Sequence, residues 1–96
     1  MIRHTVVFKL KHEADSPAEK DFLHTALVLE DIPTVKKFER LRQVSKKNDF
    51  DFGFSMEFDS MADYQIYNEH PEHVNFVQTR WIPEVADFME IDYERL

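Results

Sequence analysis

The chain has 96 residues, a net charge of −7, 43% hydrophobic and 14% aromatic residues and nine Phe, enough apolar surface for one domain with one core. It has no cysteine, which excludes disulfides and thiolate metal sites and makes a cytoplasmic compartment the expectation. Its acidity argues against general nucleic-acid binding, and no apolar run approaches the ~20 residues of a membrane span or resembles a signal peptide.

Residues 2–10 alternate as a strand, with Ile2, His4, Val6, Phe8 and Leu10 on one face and Arg3, Thr5, Val7 and Lys9 on the other. Ser16-Pro17-Ala18-Glu19 reads as a capping box with proline at the first helical position. Phe22, Ala26 and Leu29 continue that helix to Ile32-Pro33. A second strand is predicted over Lys37 to Ser45, with Phe38, Arg40, Arg42 and Val44 sharing a face. After the polar turn Lys46-Lys47-Asn48-Asp49, Phe50, Phe52, Phe54, Met56 and Phe58 recur with a strict period of two, giving a third strand with an aromatic inner face. Gly53, the only glycine, marks either a bulge or the close approach of another backbone.

Ser60 caps a second helix carrying Tyr64 and Tyr67. Pro71 opens a further helical stretch with His73, Val74, Phe76, Val77 and Trp81, which Pro83 is expected to end. Asp87 to Tyr93 reads as the closing strand. The order βαββαβ predicts a ferredoxin-like α+β fold, a four-stranded antiparallel sheet in the order 4-1-3-2 with its helices on one side. The opposite face, with Thr5, Val7, Leu41, Gly53 and Ser55 beside Lys9, Glu39 and Glu57, is either half solvated or covered by a second copy.

Chemistry concentrates in Tyr67-Asn68-Glu69-His70-Pro71-Glu72-His73 and in His4. Imidazole and phenol move protons near neutral pH, so Tyr67, His73 and His4 are the candidate catalytic set. Phe54, Phe8, Trp81 and His70 are candidate substrate-binding residues. The plainer alternatives are that the aromatics are core, that His4 is a satisfied core histidine, that His70 caps a helix, and that the Tyr67 hydroxyl is spent on a backbone group or on His4. His12 and His24 read as exposed. A metal site from His70 and His73 lacks further ligands at useful spacing.

His4-Thr5-Val6-Val7-Phe8-Lys9, Ile32-Pro33, Tyr67 to Val77 and the closing Asp87-Phe88 … Asp92-Tyr93 resemble the stress-responsive α/β-barrel (Dabb) family over essentially all of residues 1–96. The resemblance implies a dimeric α/β barrel, a homodimer formed through the sheet faces, with Arg40, Arg42, Glu39 and Glu57 as candidate cross-subunit pairs. Plant polyketide cyclases of this family, the olivetolic acid cyclase type, imply catalytic roles for Tyr67 and His73, with His4 on the first strand. They also imply aldol chemistry with no metal or organic cofactor, on a small aromatic or polyketide-like ligand. The alternatives are a non-enzymatic, stress-responsive oligomer or ligand-binding protein, and a cofactor-independent monooxygenase.

Overall fold

A computed structural model describes residues 1–96. Strand β1 (Ile2–Leu10) leads to helix α1 (Pro17–Thr25), which tightens into a 3-10 stretch over Ala26–Asp31. Strands β2 (Lys36–Arg42) and β3 (Phe52–Phe58) follow, then helices α2 (Met61–Glu69) and α3 (Pro71–Phe76). A π turn over Val77–Trp81, the short helix α4 (Ile82–Glu84) and strand β4 (Val85–Glu94) complete the chain. The sheet is antiparallel throughout in the order β2-β3-β1-β4, the predicted ferredoxin-like α+β arrangement.

Local chemistry sets most boundaries. The Ser16 hydroxyl accepts from the Glu19 amide at 3.2 Å, while the Glu19 carboxylate reaches back to the Asp15 amide at 3.1 Å, one residue before the partner a capping box prescribes. Ser60 caps α2 in the same way through the Asp63 amide. His70 precedes a proline and is held extended at ψ 136°, which breaks the helix between Glu69 and Pro71.

Three boundaries differ from expectation. Pro83 does not stop the helix. The Ile82 amide bonds the Val77 carbonyl, five residues back, and this widened turn lets the backbone carry Pro83 on to Glu84 and straight into β4. Strand β2 ends at Arg42, where the Gln43 side chain turns to the Phe50 carbonyl at 2.7 Å and leaves Phe50 in the loop. At the other end of β2 one extra residue enters between Lys36 and Glu39, and Lys37 adopts φ 52°, a β-bulge. Pairing through Gly53 is regular, so it is no bulge. A Cβ there would lie 3.4 Å from the Val6 carbonyl oxygen and 3.8 Å from Val7 Cγ1, the edge of ordinary contact, so the structure shows no close backbone approach that demands glycine.

The core lies between sheet and helices. Phe8, Phe22, Phe58, Ile32 and Met56 are sealed, and Phe8 sits among Phe22, Phe52, Phe54 and Trp81 with ring centroids 4.7 to 5.9 Å apart. The other sheet face is open. Leu41, Met89, Ile91 and Tyr93 are exposed on it, a more apolar set than strands β1 to β3 alone suggest. Arg40 and Arg42 are not on that face. Paired opposite Phe54 and Phe52, they turn toward the helices, where Arg40 donates to the Leu23 carbonyl at 2.8 Å and Arg42 lies over the Phe52 ring. Glu57 is already paired within the chain, to Arg3 at 3.1 Å and Lys37 at 3.2 Å. Of the four candidate cross-subunit charges only Glu39 stays on the open face without an ion pair.

Candidate active site

Between α2, α3, the π turn and the sheet lies a cavity of about 290 Å³, with ten of its fourteen lining residues hydrophobic. Its floor is sealed by buried side chains, His4, Val6, Phe54 and Met56 from the central strands and Tyr67 and Phe76 from the helices. Asn68, Ile82, Phe88 and Glu90 also line it but are exposed, so they form the mouth.

Tyr67 and His73 face each other across the helix break, ring centroids 4.4 Å apart, and Tyr67 lies 6.0 Å from the His4 ring. The extended His70-Pro71 junction brings α3 back over the end of α2 and makes this approach geometrically available. His73 Nδ1 is 3.0 Å from the Asn68 carbonyl. A carbonyl only accepts, so Nδ1 carries the proton and Nε2 presents a lone pair. Burial pushes the His73 pKa down, against a smaller upward effect of the Asn68 hydrogen bond. Burial likewise raises the Tyr67 phenol, with the Glu90 charge adding to it, so Tyr67 stays an O–H donor.

The Tyr67 hydroxyl has no partner in the chain, although only 2% of the residue is exposed. The one sealed side-chain polar atom without a partner is Thr34 Oγ1, so the Tyr67 hydroxyl opens into the cavity. The reading that spends it on a backbone group or on His4 is overturned. That place belongs to Tyr64, whose hydroxyl lies 2.9 Å from His4 Nδ1 and donates to Asp92 at 2.9 Å. His4 Nδ1 is 2.6 Å from the other Asp92 oxygen. With Nδ1 held by a carboxylate, the Nε2 of His4 is its free nitrogen, and it too is not sealed.

Of the seven predicted site residues, His4, Tyr67, His73, Phe54 and Trp81 line this one cavity. Phe8 does not; it is wholly buried behind Phe54 and Trp81, because its place on β1 puts it under the helices. Nor does His70, whose Nδ1 accepts from the Glu72 amide at 3.1 Å as the cap of α3. His12 is not idle either. It lies 2.7 Å from Glu84, which Arg80 also binds while donating to Asp21 and Thr25, tying α4 and the π turn that carries Trp81 to the segment after β1 and to α1.

Asp92, Tyr64 and Glu90 escaped the sequence reading. The signal was in the closing strand. Alternation puts Phe88, Glu90 and Asp92 on one face, and the predicted strand order sets that face beside His4 and Val6, an inward position where acids are costly without a role.

The family model for the stress responsive A/B barrel domain (Dabb) matches residues 2–95. The chain is a Dabb domain. A Dabb family protein of ferredoxin-like fold from Mesorhizobium loti is 57% identical, with a TM-score of 0.98 over 99% of this chain and 96% of that one. A curated stress-response A/B barrel domain-containing protein of Arabidopsis thaliana is 27% identical over 97% of this Dabb domain, which spans 36% of its length. A dimeric protein of ferredoxin-like fold from Bacteroides fragilis is 21% identical, TM-score 0.74, over 98% and 95% of the two chains. Hydroxynitrile lyase from Passiflora edulis is 17% identical, TM-score 0.82, over 96% and 90%, a likeness of fold.

Proposed function

We propose that this Dabb domain is a cofactor-free small-molecule enzyme that moves a proton next to a carbonyl, in the manner of an aldol-type polyketide cyclase. One observation carries the reading: a free phenol O–H and imidazole nitrogens without protein partners converge on one apolar hollow. His73 Nε2 takes the C–H proton, and Tyr67 donates to the carbonyl oxygen as enolate charge develops there. The carbanion then attacks a second carbonyl of the same ligand, forming the ring C–C bond, and the protonated His73 returns its proton to the new alkoxide. His4, fixed by Asp92 and Tyr64, positions the ligand opposite Tyr67. A fold shared with hydroxynitrile lyase is in keeping with lyase or aldol chemistry, without assigning it.

The same reading makes the protein a cytoplasmic homodimer whose two sheets close into a barrel. Exposed Leu41, Met89, Ile91 and Tyr93 on the uncovered face support this, as does the dimeric relative of the same fold. A single Dabb domain over residues 1–96 suffices for it.

The test is titration and turnover with phenolic β-keto compounds in wild type, His73→Ala and Tyr67→Phe. Both variants should bind the ligand while turnover falls by about 10²–10⁴-fold. Unchanged turnover in both would remove these residues from the chemistry. Saturable binding without turnover in wild type would instead make the cavity a ligand-binding site.

A further inference from the structure

The one formal charge at the mouth of the cavity is Glu90. It stands on β4 opposite Val6, one pleat along from the Asp92–His4 pair, on the sheet face that carries His4 and that α3 with His73 covers. No cation answers it. The Arg and Lys ion pairs of the chain go to Glu57, Asp59, Asp21 and Glu84, and the cavity's other polar side chains are His4, Asn68, Tyr67 and His73. A ligand entering past Glu90 therefore meets a carboxylate engaged in no hydrogen bond or ion pair of the chain, above apolar walls.

The hollow also has a size. A cavity of ~150 Å³ lined by aliphatic and aromatic side chains holds benzene. At about 290 Å³ this one has room for two fused rings, or one ring with a short substituent. Phe54 and Trp81 on its walls suit a flat ligand.

We propose that Glu90 is the specificity-determining residue of this cavity, selecting uncharged flat ligands of up to two rings that bear a hydrogen-bond donor and rejecting carboxylates. The inference rests on the cavity being the ligand site and adds to it the charge and size of the ligand. Two like charges about 6 Å apart at an effective dielectric near 20 disfavour binding roughly a hundredfold, and solvent at the open mouth reduces this to about tenfold.

The experiment uses 2-naphthol and 2-naphthoate, two rings alike except for the charged group, titrated at pH 8 into wild type and Glu90→Gln. Binding is read by calorimetry, and its place by NMR of the His73 and His4 imidazole signals. Glu90 is exposed and unpaired, so the isosteric change leaves the fold intact. Wild type should bind naphthol about tenfold or more tightly than naphthoate, with both imidazoles shifting. Glu90→Gln should narrow the ratio to about threefold or less, mainly by tightening naphthoate, and should reduce the gain in naphthoate affinity that added salt brings to wild type. A ratio unchanged by the substitution, with the imidazoles still responding, overturns the role of Glu90 and leaves the cavity as the site. Failure of both probes to bind, or binding without imidazole shifts, overturns the site and the inference together.

Discussion

Tyr64 and Tyr67 sit one turn apart on α2, both buried, and the same loss of one oxygen should have opposite consequences at the two positions. Tyr64→Phe removes the bond to Asp92 at 2.9 Å and the contact with His4 Nδ1, leaving one Asp92 oxygen without its donor while His4 keeps the other. A hydrogen bond to a charged group contributes about 1.5–3 kcal/mol; the Asp92 side chain is 40% exposed, and solvent screening discounts this to about 1–2 kcal/mol. Tyr67→Phe breaks no bond within the chain and should stay within about 0.5 kcal/mol of wild type. In a domain of this length 1 kcal/mol moves Tm by about 4–8 °C, so Tyr64→Phe should melt about 4–16 °C lower and Tyr67→Phe within a few degrees. Urea unfolding at one fixed protein concentration, with unchanged m, is the assay, since an oligomer's stability depends on concentration. A Tyr67→Phe loss equal to that of Tyr64→Phe would mean the Tyr67 hydroxyl is structurally engaged, and the argument for a free donor in the cavity would fail.

Burial holds His73 below the ordinary histidine value of 6.5, so between the two values the unfolded chain binds the extra proton and the native one does not. Stability should be fully present above pH 6.5 and decline as pH falls through the lower native value; NMR titration of His73 with a midpoint above 6.5 would contradict this. Phe54→Ala, which removes a ring packed on Phe8, Phe38 and Trp81, should cost about 3–5 kcal/mol by urea unfolding, and a loss below about 1 kcal/mol would mean the ring is not part of the core. Ile91→Glu on the open sheet face should turn a dimer into a monomer in sedimentation analysis, and an unchanged mass would place any interface elsewhere.

The strands and helices were legible because their periods are clean. Phe52, Phe54, Met56 and Phe58 can satisfy only one face, and Ser16-Pro17 and Ser60 announce helix starts in their own chemistry. Pro83 misled because a π turn is a backbone accommodation that no single residue signals. The meeting of Tyr67 with His73 followed from their closeness in sequence, and that of His4 with the closing strand only from strand order. Asp92 and Glu90 are not legible as site residues in Asp87 to Tyr93 alone, because alternation fixes two faces and only pairing with β1 decides which of them turns inward. Phe8 and Phe54 are alike as sequence, two residues of one alternating type. Their split into sealed core and cavity wall depends on where α3 ends and Trp81 falls, a tertiary outcome.

The most direct measurement is deuterium exchange into the carbon next to the carbonyl of 2-tetralone, a neutral two-ring ketone, followed by NMR in heavy water. Wild type should accelerate exchange saturably over buffer, and His73→Ala and Tyr67→Phe should each forfeit most of that acceleration while still binding the ketone. Exchange no faster than in buffer, or acceleration that survives both substitutions, would contradict proton transfer by these two side chains.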